Sequence, residues 1–223
     1  MAASTRSASS PSAAATTASG EARSPADFVP RLEAVGTIRH LTDFALERAM
    51  SLALARPGLK ISVNASAVEF QQPDFPDRVE AALARAGFPG ERLEIEVTET
   101  AILDIATAAP VLERLGQLGV GVALDDFGSG YTSLHALREL RFSTLKIDRS
   151  FVERCLKDTA SAVIIHAVIA VGRSLGMQIV CEGVETEPQV QFLRTAGVHM
   201  IQGFVYSRPV PFHALPADEA VAA

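Results

Sequence analysis

From residue 60 onward the chain alternates short apolar runs with amphipathic stretches, and no other feature limits its possible folds so strongly. Lys60-Ile61-Ser62-Val63-Asn64, Leu93-Glu94-Ile95-Glu96-Val97, the run from Gly121 into Asp125-Asp126, Thr144-Leu145-Lys146-Ile147-Asp148, Gln178-Ile179-Val180-Cys181-Glu182 and His199-Met200-Ile201-Gln202-Gly203 read as strands. Between them, Phe75–Ala86, Ala108–Leu118, Ala160–Leu175 and a segment opened by Thr186-Glu187-Pro188-Gln189 read as helices. Gly87, Gly119, Gly176 and Gly197 stand where such helices end. Pro110 is expected in the first turn of its helix. A short helix is expected after the Asp-Asp strand at Ser133-Leu134-His135-Ala136-Leu137. Two helices precede the alternation, starting at Ser24-Pro25-Ala26-Asp27 and stopping at Pro57-Gly58. The second is expected to bury Leu41, Phe44, Ala45, Ala49, Leu52 and Ala53. The apolar helix at 160–175 is expected to bury Val163, Ile164, Ala167, Val168, Val171 and Leu175. Repeated strand-then-helix units predict an α/β fold with a parallel sheet.

Parallel sheets carry their working residues at the C-terminal ends of the strands. Those ends are Asn64, Glu96, Asp125 with Asp126, Lys146, Glu182 and Gln202. About six strands thus each end on a group able to ligate a metal or bind a polar ligand. Adjacent side chains in a strand point to opposite faces, so Asp125 and Asp126 can converge only where the chain leaves strand geometry. Two carboxylates a few Å apart repel, and one protonates unless a cation intervenes. The set holds carboxylates, amides and one lysine, with His199 at the wrong end of its strand. Oxygen donors without His or Cys select magnesium or manganese over zinc. Two such ions would suit phosphoryl transfer. Lys146 could hold the attacking water or neutralise phosphate. Glu182 could ligate the second ion or accept the proton of the water. Gly128-Ser129-Gly130 could close over a ligand or position an acid, and Glu99 could brace that loop. Glu94 and Glu96 project to one side of their strand, which leaves one of them for a purely structural role.

The length of 223 residues suits one sizeable domain, and 48% hydrophobic with 21% charged residues is a globular balance. A net charge of -6 without a basic run excludes a non-specific binder of polymeric nucleic acid. It leaves room for a small phosphorylated ligand held through metals. Cys155 and Cys181 lack metal-type spacing and fit a reducing compartment, so a cytoplasmic location is expected. No membrane segment and no secretion signal is read. Residues 1–24 are rich in Ala, Ser and Thr and are expected to be disordered, adding no strand. The main domain is expected over 25–215, with a C-terminal tail at 216–223.

Several of these residues fall in a recognisable series. Asn64-Ala65-Ser66, Glu96-Val97-Thr98-Glu99, Asp125-Asp126-Phe127-Gly128-Ser129-Gly130, Lys146-Ile147-Asp148, Glu182-Gly183-Val184-Glu185-Thr186, Gln202-Gly203-Phe204 and Ser207-Arg208-Pro209 occur in order. The chain resembles the EAL-domain family of cyclic di-GMP phosphodiesterases from about Ser24 to Pro211. The resemblance implies a modified TIM-type (β/α)8 barrel that opens cyclic di-GMP to pGpG with magnesium or manganese. It implies Asn64, Glu96 and Asp125 as metal ligands, with Asp126 serving the second ion. It assigns the attacking water to Lys146 and Glu182, and bracing of the Asp125–Tyr131 loop to Glu99. Gln202, Asp148, Arg208 and Pro209 would meet the substrate. A homodimer through the Asp125–Tyr131 region is implied as well. The family is named for a Glu-Ala-Leu motif whose glutamate binds metal, and an arginine just after it contacts a substrate phosphate. These 223 residues contain no such motif. An incomplete barrel without its first two strands is therefore expected, with impaired hydrolysis. A silent cyclic di-GMP-binding or protein-interaction module is the alternative, or a gene fragment. A start site placed inside a longer gene would account for the missing segment.

Overall fold

The computed structural model describes residues 7–9, 15–16, 22–128, 130 and 133–208. Its strands are β1 (Ser7–Ser9), β2 (Ala15–Thr16), β3 (Ala22–Arg23), β4 (Lys60–Asn64), β5 (Leu93–Thr98), β6 (Gly121–Phe127), β7 (Thr144–Ile147), β8 (Gln178–Cys181) and β9 (Met200–Ile201). The helices are α1 (Pro25–Ala34), α2 (Ile38–Leu54), α3 (Ala67–Phe70), α4 (Phe75–Ala86), α5 (Ile105–Gln117), α6 (Leu134–Glu139), α7 (Arg149–Arg154), α8 (Thr159–Ser174) and α9 (Glu187–Ala196). One sheet runs in the order β1-β4-β5-β6-β7-β8-β9, and all its pairings are parallel. From β4 onward, each strand leads through helix to its neighbour in the sheet. This is a TIM-type barrel left open, with all six strands expected from the sequence present. β2 and β3 pair antiparallel beside it.

Ser7–Ser9 corrects one expectation, since a segment before residue 24 does join the sheet, in register with Lys60–Ser62. Ladder bonds are made by the backbone, so the free edge of β4 can take up small residues as readily as apolar ones. The rest of the expected 1–24 tail falls mostly outside the described residues, and 216–223 falls wholly outside them.

Strand periodicity sorts the side chains. Ile61, Val63, Leu93, Ile95, Val97, Val122, Leu124, Leu145, Ile147, Ile179 and Cys181 are buried under the helices in one continuous core. The alternate positions (Ser62, Asn64, Glu94, Glu96, Thr144 and Lys146) line the concave face. Glu94 takes the structural role there, accepting hydrogen bonds from Thr144 Oγ1 at 2.6 Å and Ser143 Oγ at 3.1 Å. Behind the sheet, the Arg92 guanidinium closes the end of α2. It donates to the carbonyls of Ala53, Arg56 and Leu59, each at 2.8 Å, and stacks on Phe88.

Two helices are rotated part-way from the face expected: Ala53 is buried and Ala45, Ala49, Val168 and Val171 pack against the core, but other positions lie deepest. In α2 the buried residues are Ile38, Thr42, Leu46, Met50 and Ala53, while Phe44 is 65% exposed. The polar Thr42 belongs inside because its hydroxyl donates to the buried Glu69 at 2.5 Å, and Glu69 pairs with Arg78 at 3.0 Å. In α8 the buried residues are Ser161, Ile165, Ile169 and Gly172, and Val163 is 59% exposed. That helix is apolar nearly all round, so periodicity could not choose a face. Gly172 chooses it: a Cβ there would lie 2.3 Å from Ile179 Cδ1, so the helix meets the sheet at its smallest residue. Helix α5 starts earlier than expected, at Ile105 behind the Asp104 cap, which places Pro110 inside it rather than in the first turn.

Candidate metal centre

The carboxylates gather where β6 loses regular geometry. Leu124 pairs with Leu145, and Phe127 with Ile147, so Asp125 and Asp126 together stand opposite Lys146 alone. This is a bulge of one residue. Asp126 adopts φ 54, a left-handed conformation, the only non-glycine among the described residues to have positive φ. The bulge lets consecutive side chains reach one place, as the adjacent aspartates require. Oxygens of Asp125, Asp126 and Glu182 all lie within 4.8 Å of one another.

Lys146 is the hub. It is 4% exposed, and its Nζ lies 2.6 Å from Glu182 Oε1, 3.0 Å from Glu96 Oε2 and 3.1 Å from Asp125 Oδ1. Burial alone would lower its pKa. The three carboxylates outweigh burial and hold the ammonium well above its ordinary range. One cation still leaves excess negative charge. Burial raises Glu96, with Lys146 opposing and Asp125 adding to the rise. Burial raises Glu182 as well, against Lys146. Burial and the neighbouring Asp125 and Asp148 raise Asp126. Carboxylates pushed toward protonation by burial and, beyond that, by one another are a donor set suited to a hard divalent cation.

Glu99, buried in the turn after β5, does not join this cluster. Its Oε1 accepts the Gly128 amide at 2.7 Å, and a Cβ on Gly130 would lie 2.6 Å from its Oε2. It is thereby tied to the loop that follows the two aspartates. Asn64 ends β4 in register with Glu96, on the same rim. Gln202 follows β9, where its carbonyl accepts from Val184 N and its amide donates to Cys181 O. Asp148 caps α7 by accepting from Ser150 N at 3.0 Å. Arg208 is exposed and lies over the Phe204 ring at 4.7 Å. Pro209 lies outside the described residues, as do Ser129 and Tyr131 of the loop.

Sequence reasoning missed the clamp on the Glu182 turn. Gly183 has φ 67, and Arg149 packs so closely that a Cβ on Gly183 would lie 2.3 Å from Arg149 Cγ. Arg149 also pairs with Glu185 at 3.1 Å. The glycine was the available signal, because a φ this positive disfavours every residue with a Cβ.

A family model described as the EAL domain matches residues 13–209. Among curated proteins, the bifunctional diguanylate cyclase/cyclic di-GMP phosphodiesterase MucR of Pseudomonas aeruginosa is 41% identical over 202 residues, covering 88% of this chain and 30% of that protein. The cyclic di-GMP phosphodiesterase NbdA of the same organism is 41% identical over 197 residues, covering 86% and 25%. The chain spans about a quarter to a third of the length of the curated relatives it matches. A solved structure of the PaMucR phosphodiesterase in complex with c-di-GMP superimposes with a TM-score of 0.82 at 38% identity, covering 88% of this chain and 82% of that one. The motif series, the open parallel barrel, the carboxylates around Lys146 and the family match agree: this chain belongs to the EAL domain family.

Proposed function

We propose that this domain hydrolyses cyclic di-GMP to linear pGpG with the help of magnesium or manganese. The observation that carries the reading is the convergence of Glu96, Asp125 and Glu182 on one buried lysine, beside Asp126, at the mouth of the barrel. The relatives named above as cyclic di-GMP phosphodiesterases support the substrate. Asn64, Glu96, Asp125, Asp126 and Glu182 would hold the ions. When bound, such ions polarise a phosphoryl oxygen and ease deprotonation of water. Lys146 keeps three carboxylates in place and presents positive charge toward a phosphate. Glu182, raised by burial, is a better proton acceptor near neutral pH than an ordinary carboxylate. Gln202, Asp148, Arg208 and Pro209 are assigned to the substrate side.

The 223 residues contain no Glu-Ala-Leu sequence, and this favours slow turnover by the chain as it stands. A domain that binds cyclic di-GMP without cleaving it is the second reading. A homodimer is part of the proposal. Phe127, Leu134, Ala167, Val168 and Val171 line an open apolar pocket at the foot of the Gly128 loop, and Leu134 is 64% exposed. A second copy of the chain packed there would bury this face and steady the loop that Glu99 braces. Among the described residues no helix is long and apolar enough to cross a membrane. A cytoplasmic location is proposed, supported by two buried free cysteines.

Chromatography of cyclic di-GMP incubated with the purified chain and manganese tests the reading. Formation of pGpG that stops with Asp125→Asn supports hydrolysis. Saturable binding of cyclic di-GMP without product supports the silent module. Neither binding nor product overturns both.

A further inference from the structure

We propose that Glu33 is a positioning residue for the metal centre, acting through Ser66 on the turn that carries Asn64; this rests on the reading of Asn64 as a metal ligand. Glu33 lies in the last turn of α1, a helix with no fully buried residue. Its Oε1 accepts a hydrogen bond from Ser66 Oγ at 2.6 Å, across 33 residues of chain. The same Ser66 oxygen accepts the Val68 amide at 3.2 Å and so caps α3. A serine hydroxyl has one proton and two lone pairs. Donating to Glu33 therefore fixes the hydroxyl so that a lone pair faces Val68 N.

The turn Asn64-Ala65-Ser66 is held at both ends. On one side the Ala65 amide donates to the Glu96 carbonyl at 2.9 Å, tying it to the neighbouring strand. On the other, Ser66 is tied to Glu33. Asn64 is the last residue of β4, and its side chain is exposed. Its aim thus depends on the backbone that follows it. Residues that orient metal ligands through hydrogen bonds govern metal affinity without touching the ion. Packing does not account for Glu33, because α1 buries little against the domain, whereas a carboxylate aimed at a capping serine is a directed contact. Glu33 precedes Ala34 and Val35, so it has no part in a Glu-Ala-Leu sequence.

The test is isothermal titration of manganese into the purified 223-residue chain and three variants, with melting temperatures taken without cation. Glu33→Gln keeps the acceptor oxygen, and Glu33→Ala removes it. Glu33→Ala is expected to bind manganese about tenfold more weakly than wild type, and Glu33→Gln to stay within about twofold of it. Asn64→Ala is expected to weaken binding at least as much as Glu33→Ala. Glu33→Ala binding like wild type while Asn64→Ala is weakened overturns the role of Glu33 and leaves the metal centre standing. Equal losses in Glu33→Ala and Glu33→Gln overturn it too, since the hydrogen bond would then not be what matters. If Asn64→Ala also binds like wild type, or no chain binds manganese, the metal-centre reading fails and this inference fails with it.

Discussion

The Glu99 carboxylate accepts the Gly128 amide at 2.7 Å, and so fastens the turn after β5 to the loop that leaves the two aspartates. Glu99 is 5% exposed, and removing it strands a backbone donor beside the two aspartates. Glu99→Ala is expected to cost about 1–3 kcal/mol of stability, seen in chemical denaturation. Hydrolysis should fall about a hundredfold, because Asp125 and Asp126 lose their register. Glu99→Gln keeps an acceptor and should recover most of the stability. Gly130→Ala should reproduce the activity loss, because its Cβ would meet Glu99 Oε2 at 2.6 Å.

Asp126 gives a dependence on pH. Burial, then Asp125 and Asp148, hold its carboxyl above the ordinary range. A carboxyl raised in the folded state binds its proton more tightly there than in the unfolded chain. Its contribution to stability is full below the unfolded value and is lost as pH rises through the folded value. With divalent ions chelated, Asp126→Asn should therefore melt above wild type at pH 7. The gap should close as pH falls to about 4, near the unperturbed aspartate value. Asparagine also tolerates the left-handed backbone at this position. Calorimetric melts of both chains across this range check the sign.

Arg92 is expected to be the most sensitive surface-facing residue for stability. Its guanidinium satisfies three carbonyls around the end of α2 and covers Phe88. Arg92→Ala should cost about 3 kcal/mol, and lower the melting temperature by about 6–12 °C in a chain of this length. Arg92→Lys should lose more than half as much, because an ammonium cannot span three acceptors in a fork.

The sheet was legible because period-two alternation and glycine stops are local signals, and each of the six strands carries them. The carboxylate cluster could be read in the sequence because strand ends in a parallel sheet share one rim, so the chain order alone groups Glu96, Asp125, Lys146 and Glu182. The deepest positions of α2 and α8 were not legible. Thr42 is inside because of Glu69 and Arg78, and Gly172 is inside because of Ile179, and in each case the partner sits on another element that helix periodicity does not sense. β1 was missed because pairing with β4 needs only backbone, and Ser7-Ala8-Ser9 carries no side-chain pattern. The link from Glu33 to Ser66 leaves no trace in sequence spacing because its two side chains stand on different elements, 33 residues apart.

The central claim is that the carboxylates around Lys146 form a site for a divalent cation. Thermal melting of the chain at pH 7 with and without manganese tests it most directly, with Asp125→Asn alongside. At a manganese concentration about a hundredfold above its dissociation constant, mass action should add about 2.7 kcal/mol. That should raise the wild-type melting temperature by about 5–10 °C. Asp125→Asn should show no such rise. An equal rise in both chains, or none in wild type, would contradict the account.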